Sequence, residues 1–416
     1  MSITFSNALS GLKANAFAID VISGNLANLN TYGYKESKVS FQNLVNDSLG
    51  TGAGGATVGG STVALSTRSF SQGSIQSTNQ AFDAAIQGNG FFVLRSKAEQ
   101  VYTRAGNFKV DASGHLLTQQ NQNLQGWNAQ NGVLSSNTGI ADIRVPISSL
   151  RQPSPTSQFT ITANMNASAV VGTPDATFSS PIPIVDSQGN SHLVTLTYVK
   201  SAANTWNYTA TIPSSAIVGG TGTATTLATG TLTFDGLGHL ATPLPVNSPV
   251  SIAITGFNNG ASDMTMAWNL YDTVGNATLT QYNQASANLG STQDGTPSGQ
   301  LKAMSIGSNG QVLAHYSNGD AVAVAQLAIA SVLNPDSMQD LGDNTFGVTS
   351  RSSIPAIGLP GTGSRGAITG GALETSTVDI AKEFTNLLTY ERGYQANSKV
   401  VTTQDDILQE TVALKR

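Results

Sequence analysis

The side chains best suited to chemistry in this sequence are four histidines, His115, His192, His239 and His315, and the aspartates of four Asp-x-x-Gly stretches. A metal centre would need such groups at short loop or helical spacing. None of the histidines has a partner at that spacing; each stands singly in a turn or at a strand start, where exposure or a local hydrogen bond accounts for it. The stretches Asp111–Gly114, Asp186–Gly189, Asp235–Gly238 and Asp272–Gly275 each lie between a β-type residue and a returning strand. A calcium loop takes about six to eight oxygen ligands, more than any of them offers. Asp accepting bonds from backbone N–H groups further along, with Gly supplying positive φ, makes each a hairpin turn instead. Two stretches, 50–55 and 361–366, spell G-x-G-x-x-G, but neither follows a strand or opens a helix as a dinucleotide site requires. Ser and Asp are plentiful, so composition leaves a Ser-His-Asp triad open, yet nothing resembles a nucleophile elbow. The expectation is a protein that is not an enzyme, with no catalytic residue, cofactor or metal. Trp127, Trp206 and Trp268 are expected as β-domain core.

At 416 residues the chain is too long for one ordinary core, and on the order of two to four domains is expected. Only 10% of residues are charged and the net charge is −5, which argues against a nucleic-acid partner. With 43 glycines and polarity carried by Ser, Thr, Asn and Gln, the composition suits a β-rich extracellular protein. The absence of cysteine removes disulfides and thiolate metal sites. The opening MSITFSNALSGLK has no basic region followed by an apolar one, so export without a cleaved signal peptide is expected. The longest apolar run, 321–333, is shorter than the roughly 20 residues a bilayer span takes, so no stable membrane insertion is expected.

The strongest periodic signals sit at the two ends. Leu373, Ile380, Leu387, Tyr394, Val401 and Leu408 follow one seven-residue spacing, and Phe5, Leu12, Ile19 and Leu26 follow another. Each row predicts a long amphipathic helix with a seam for a second helix. Leu9, Ala16 and Ile22 widen the first stripe, and Ala8, Ala14, Ala18, Gly24 and Ala27 would allow close helix contact. Between the ends the pattern changes to period two with frequent turns. Strands are expected at 63–65, 82–86, 90–94, 193–199, 206–209 and 251–254, a hairpin with its turn at 307–310, and a buried strand or two over 321–332. The predicted fold is multidomain and mainly β with long terminal α-helices. Its domains are discontinuous and nested: the two terminal helices pair as a coiled coil, and antiparallel β domains lie outside them.

Short motifs beside the helices narrow this reading. Asn25, Asn28, Thr31, Gly33, Tyr34 and Lys35 form an Asn-x-x-Asn followed by Thr-x-Gly-aromatic-Lys at the exit of the first helix. Asn and Gly tolerate left-handed backbone there and would turn the chain outward. This set is similar to the N-terminal signature of the bacterial flagellar rod and hook protein family. It departs from the family at Ser23-Gly24, and Tyr34 replaces a commoner Phe. The stretches 83–92 and 102–108, the loop 333–336, the start 373–380 and the set Arg392, Tyr394, Gln395, Asn397 and Lys399 also resemble that family, with Glu391 in place of Gln. The patches 186–190, 192, 198–200 and 206 resemble the outer domain of its hook branch.

The resemblance implies a helical inner-tube domain (1–30 plus 373–416), a connector (31–70 plus 351–372), an inner β domain (71–145 plus 284–350) and an outer β domain (146–283). It implies a homopolymer of many copies forming a curved, flexible tube, a universal joint that passes torque from rod to filament. The expected assembly interface is the ten residues of the two seven-residue rows. Implied partners are the hook cap, the distal rod and hook–filament junction proteins, and the flagellar export apparatus; the implied location is extracellular. A distal rod protein, or a secreted β-domain adhesin, is the alternative.

Overall fold

The computed structural model describes residues 3–44, 61–97, 99–130 and 133–413. The glycine-rich stretch 50–55 lies outside the described residues. The chain divides into one unit made of 1–147, 303–315 and 321–416 and a second made of 148–302 and 316–320.

In the first unit, helix α1 (Ile3–Ala27) and helix α2 (Ile380–Ala413) pack against each other. Asp379 caps α2: its carboxylate accepts from the Ala381 and Lys382 N–H groups at 2.9 and 3.2 Å, satisfying donors that a helix start leaves free. The helix therefore begins later than the apolar row suggested. Leu373 is buried in the strand Ala372–Glu374, which pairs with Ile75–Ser77. A seven-residue repeat cannot by itself show where a helix gives way to a strand ending in a buried apolar residue.

Beyond α1, strands β1 (Ser37–Leu44) and β2 (Ser61–Arg68) pair in continuous antiparallel register, from Ser37↔Arg68 to Leu44↔Ser61. Both lie against α1, and Phe41 meets Tyr390 of α2 with ring centroids 5.5 Å apart. The described part of 31–70 is thus a hairpin along the helix pair. The stretch 351–372 likewise carries strands: Ala356–Gly358 pairs with Ile329–Ser331, and Ala367–Gly370 with Ala84–Gln87.

The body of this unit is a sheet with the neighbour order Gln311–Tyr316, Ala321–Leu327, Asn123–Asn128, β3 (Phe91–Ser96), β4 (Glu99–Thr103), Thr345–Gly347 and Gln339–Gly342. Successive side chains of a strand point to opposite faces. In β3, Phe92 and Leu94 join one core with Leu116, Leu124, Ile143 and Leu327, while Phe91 and Val93 join another with Tyr102, Trp127 and Phe346. That double burial is why β3 reads as an unbroken apolar run. The expected hairpin turn is present, with Asn309 and Gly310 at φ of 67° and 72°.

The second unit holds one antiparallel five-stranded sheet (Thr177–Val185, Ser191–Ala202, Thr205–Pro213, Ala224–Phe234, Leu240–Thr242). A second sheet is built around Gln158–Asn164, which pairs antiparallel with Ala287–Gln293 and parallel with Met264–Asn269 and Leu279–Thr280. Inward residues alternate along the strands and meet at the fully buried Trp206, Trp268 and Tyr198. Residues 284–302, expected in the inner β domain, fall in this second unit.

Candidate functional site: the helix pair and its junction

The two helices run antiparallel through a seam of small and amide side chains. Ala8, Ala14, Ala18, Ile22 and Asn25 are the buried face of α1. A methyl group added at Gly11 would sit 2.9 Å from the Asn397 amide, and one at Gly393 would sit 2.7 Å from the Asn15 amide. Each Asn donates to the carbonyl of the glycine four residues earlier on its own helix, Asn15 to Gly11 at 2.8 Å and Asn397 to Gly393 at 2.9 Å. The sequences Gly11-Leu-Lys-Ala-Asn15 and Gly393-Tyr-Gln-Ala-Asn397 thus clasp reciprocally, glycine against asparagine in both directions. Such close approach replaces the interlocking of large apolar side chains usual in a coiled coil.

The apolar rows lie elsewhere. Phe5, Leu12, Ile19 and Leu26 are half-buried, as are Leu387 and Val401, while Ile380, Tyr394 and Leu408 are exposed. Leu9, Phe17, Phe384, Leu388 and Ile407 add to the exposed apolar surface of the two helices. Of the C-terminal motif, Arg392 and Gln395 are exposed and Asn397 belongs to the clasp.

Where α1 ends, the Asn-x-x-Asn and Gly-aromatic-Lys residues are tied to the start of α2. Asn28 donates to Gly24 O at 2.9 Å and accepts from Thr31 Oγ1 at 3.1 Å, closing the helix. Asn25 is fully buried and all its capacity is used. Its Oδ1 accepts from Ser37 N (2.9 Å) and Tyr34 O–H (3.2 Å), and its Nδ2 donates to Ser37 O (2.8 Å) and Glu383 Oε2 (3.4 Å). Gly33, at φ 69°, donates to Glu374 O at 2.8 Å, and a Cβ there would strike the Arg104 carbonyl carbon at 2.6 Å. Only glycine meets both demands. Thr377 N donates to Tyr34 O at 3.2 Å, and Glu36 N to Thr377 Oγ1 at 2.9 Å.

At the centre of this junction is a buried ionic cluster. The Lys35 ammonium donates to Glu374 Oε1 at 2.7 Å and to Ser71 O at 2.6 Å. Arg104 donates from Nη1 to Glu374 Oε2 at 3.3 Å and from Nη2 to Gly88 O at 2.7 Å. Gly73 N donates to Glu374 Oε1 at 2.7 Å. Both side chains of the Lys35–Glu374 pair are 0% exposed. Burial pushes the Lys35 ammonium below its ordinary value, with Glu374 pulling the other way, and burial lowers Arg104 too. Burial raises the Tyr34 phenol, beside the guanidinium of Arg68. Arg104 and Glu374 were not singled out from the sequence. Each lies inside a family-like stretch, but nothing local marks either as the partner of Lys35.

Among the described residues, no group of three or more His, Asp or Glu side chains could hold a metal ion. Three of the four histidines are hydrogen-bonded locally through their rings, His192 with Asp186 (2.8 Å), His115 with Asp111 and Arg144 (3.3 and 2.9 Å) and His315 with Ser305 (2.9 Å), and the His239 ring lies edge-on to Tyr282.

Four family models match the chain in order: a flagellar basal body rod protein family over 5–35, the D1 domain of flagellar hook protein FlgE/F/G over 85–168, the D2 domain of flagellar basal body protein FlaE over 162–296, and the flagellar basal body rod FlgEFG C-terminal family over 369–414. Flagellar hook protein FlgE of Borreliella burgdorferi is 33% identical across 98% of both chains. The FlgE of Escherichia coli K12 is 31% identical over 99% of this chain and 100% of its own, and that of Salmonella typhimurium is 32% identical over the same shares. The crystal structure of Helicobacter pylori FlgE2 aligns with 72% of this chain and 100% of its own at a TM-score of 0.55 and 16% identity, a likeness of fold. Matched from end to end at these identities, the chain belongs to the flagellar hook protein family, whose members are structural and not enzymes.

Proposed function

We propose that this protein is the repeating subunit of a flagellar hook, outside the cell, and that many copies build a curved tube acting as a universal joint between rod and filament. The helical domain (1–30 plus 373–416) lines the inner tube, and the β domains stack outside it, with 284–302 going with the outer one. The observation that carries this reading is the inversion at the helices. The α1–α2 seam is small and polar, while Leu9, Phe17, Phe384, Leu388, Ile407 and Leu408 face outward. Large apolar side chains left exposed on a helix pair suit an interaction site, and a chain that repeats itself can cover them with its own copies. The nine row residues that lie on the helices, Phe5, Leu12, Ile19, Leu26, Ile380, Leu387, Tyr394, Val401 and Leu408, are the proposed interface, and Leu373, buried in the strand Ala372–Glu374, lies outside it.

Partners at the ends of such a tube would be a cap during growth, the distal rod below and junction proteins above. Delivery would be through the flagellar export apparatus. Nucleic acid, membrane insertion and cofactors have no place in this scheme.

Electron microscopy of the purified chain after incubation tests the proposal. Curved tubes are expected, with far-UV helicity rising as they form, because the terminal helices gain apolar cover only in the polymer. Straight tubes would favour a rod subunit, and a chain that stays monomeric at high concentration would overturn the reading.

A further inference from the structure

The Lys35–Glu374–Arg104 cluster poses a physical question that polymer formation does not answer. Buried ion pairs are expensive, and apolar side chains of similar volume often stabilise a fold equally well or better. Two cations and one carboxylate, at 3% exposure or less, are an uneconomical way to fill a core. What such groups add over apolar ones is direction, because each donor must point at its acceptor.

Here the directions converge from separate parts of the chain. Lys35 comes from the segment leaving α1, and its ammonium also reaches Ser71 O. Arg104 comes from the end of β4 in the inner sheet and also holds Gly88 O, and Ile86 O at 3.4 Å. Glu374 comes from the segment leading into α2 and takes Gly73 N as well. Its own carbonyl accepts from Gly33. The strand pairing Ile75↔Glu374 and the bond from Thr375 N to Ser74 O (2.9 Å) hold its backbone in place.

We propose that Glu374 is the positioning residue of this joint: by binding Lys35 and Arg104 together, it fixes the angle at which the helix pair leaves the inner β sheet. The joint is then a lock, and bending of the proposed tube is taken up elsewhere. The tube-level consequence rests on the hook-subunit reading, whereas the lock itself is a property of the single chain.

Two variants of the full-length chain separate position from stability. Glu374→Gln leaves two buried cations with no counter-charge and is expected to lower Tm. The triple variant Lys35→Met, Arg104→Met, Glu374→Met removes every charge, and its Tm is expected to stay near the parent value. The lock predicts that the triple variant nevertheless loses amide hydrogen-exchange protection at Gly33 and Thr377 by at least tenfold. It also predicts tubes of mixed or absent curvature. A triple variant with parental Tm, protection at both amides and curvature would reduce the cluster to core filling and overturn the proposal. Should the triple variant not fold, the parent chain decides: the Gly33, Gly73 and Thr377 amides must open together, with protection matching Phe92 and Leu94 in β3. Opening with the helix ends instead would overturn the lock. If the parent forms no tubes, the hook-subunit reading fails, while the exchange result still tests the lock.

Discussion

At Asp186 one carboxylate organises a whole turn. Oδ1 accepts from the Gln188 and Asn190 N–H groups at 2.8 and 2.9 Å, while Oδ2 accepts from His192 and Asn259. Asp111, Asp235 and Asp272 repeat the Oδ1 pattern, each accepting from the second and fourth residues beyond. Burial pushes the Asp186 carboxyl up, but these hydrogen bonds outweigh it and hold the group down, to about 2. A depressed carboxylate adds stability above its unfolded pKa and loses it as pH falls through the folded one. The contribution from Asp186 is therefore present above pH ~4 and fades toward pH ~2. Asp186→Asn should cost about 2 kcal/mol at neutral pH and flatten the fall in Tm of the second unit between neutral pH and pH ~3. Thermal melts of both proteins at the two pH values check this; an unchanged acid dependence in the variant would contradict it. The turns themselves were legible from Asp, two residues and Gly. The partner across space, Asn259, was not, since sequence carries no sign of which loop folds back onto which.

Among the elements, the helix pair shows where periodicity informs and where it misleads. The rows of large apolar residues correctly announced two helices and their association. The contact between the two helices is instead made by Ala8, Ala14, Ala18 and the glycine–asparagine pairs, because a seven-residue repeat marks any long apolar stripe without saying whether its own chain or another covers it. Ala8, Ala14 and Ala18 carried the usable signal of close contact. The glycine–asparagine reciprocity was visible as a repeated five-residue pattern but acquires meaning only once the helices are known to be antiparallel. Gly→Ala in an open helix gains about 1 kcal/mol, so glycine at both sites of contact argues that space decides here. Gly393→Leu should force the helices apart at about 1–3 kcal/mol and raise the critical concentration for polymerisation roughly tenfold or more. Adding Asn15→Ala, which removes the amide facing Gly393, should recover part of the loss. Sedimentation across a concentration series measures both, and an unaffected Gly393→Leu protein would sink the clasp.

For the molecule as a whole, composition gave the reliable guide. A chain with 10% charged residues has few surface ion pairs to offer a neighbour. If assembly rests on apolar helix faces, raising ionic strength from about 0.05 M to 0.5 M, which shortens the Debye length severalfold, should leave the critical concentration within about a factor of two. Light scattering against salt tests this, and tubes that dissolve in salt would show that ion pairs bind the copies. The mainly β architecture with paired terminal helices was readable from period-two stretches between two helical ends. The course of 351–372 was not, because Gly, Ser and Pro suit a loose connector and short edge strands alike. Only their partners, Ile329–Ser331 and Ala84–Gln87, decide between the two.

The contact between Lys35 and Glu374 spans 339 positions of sequence. Bringing such distant residues together carries a closure entropy that no local structure can prepay, and contacts of this range form late. Time thus enters the design: whichever end of the chain emerges first must wait for the other before the junction can shut. A chain that stops short of Glu374 would leave Lys35 and Arg104 without the carboxylate they share, so the first residues of the chain reach their final contacts only when nearly the last have been made.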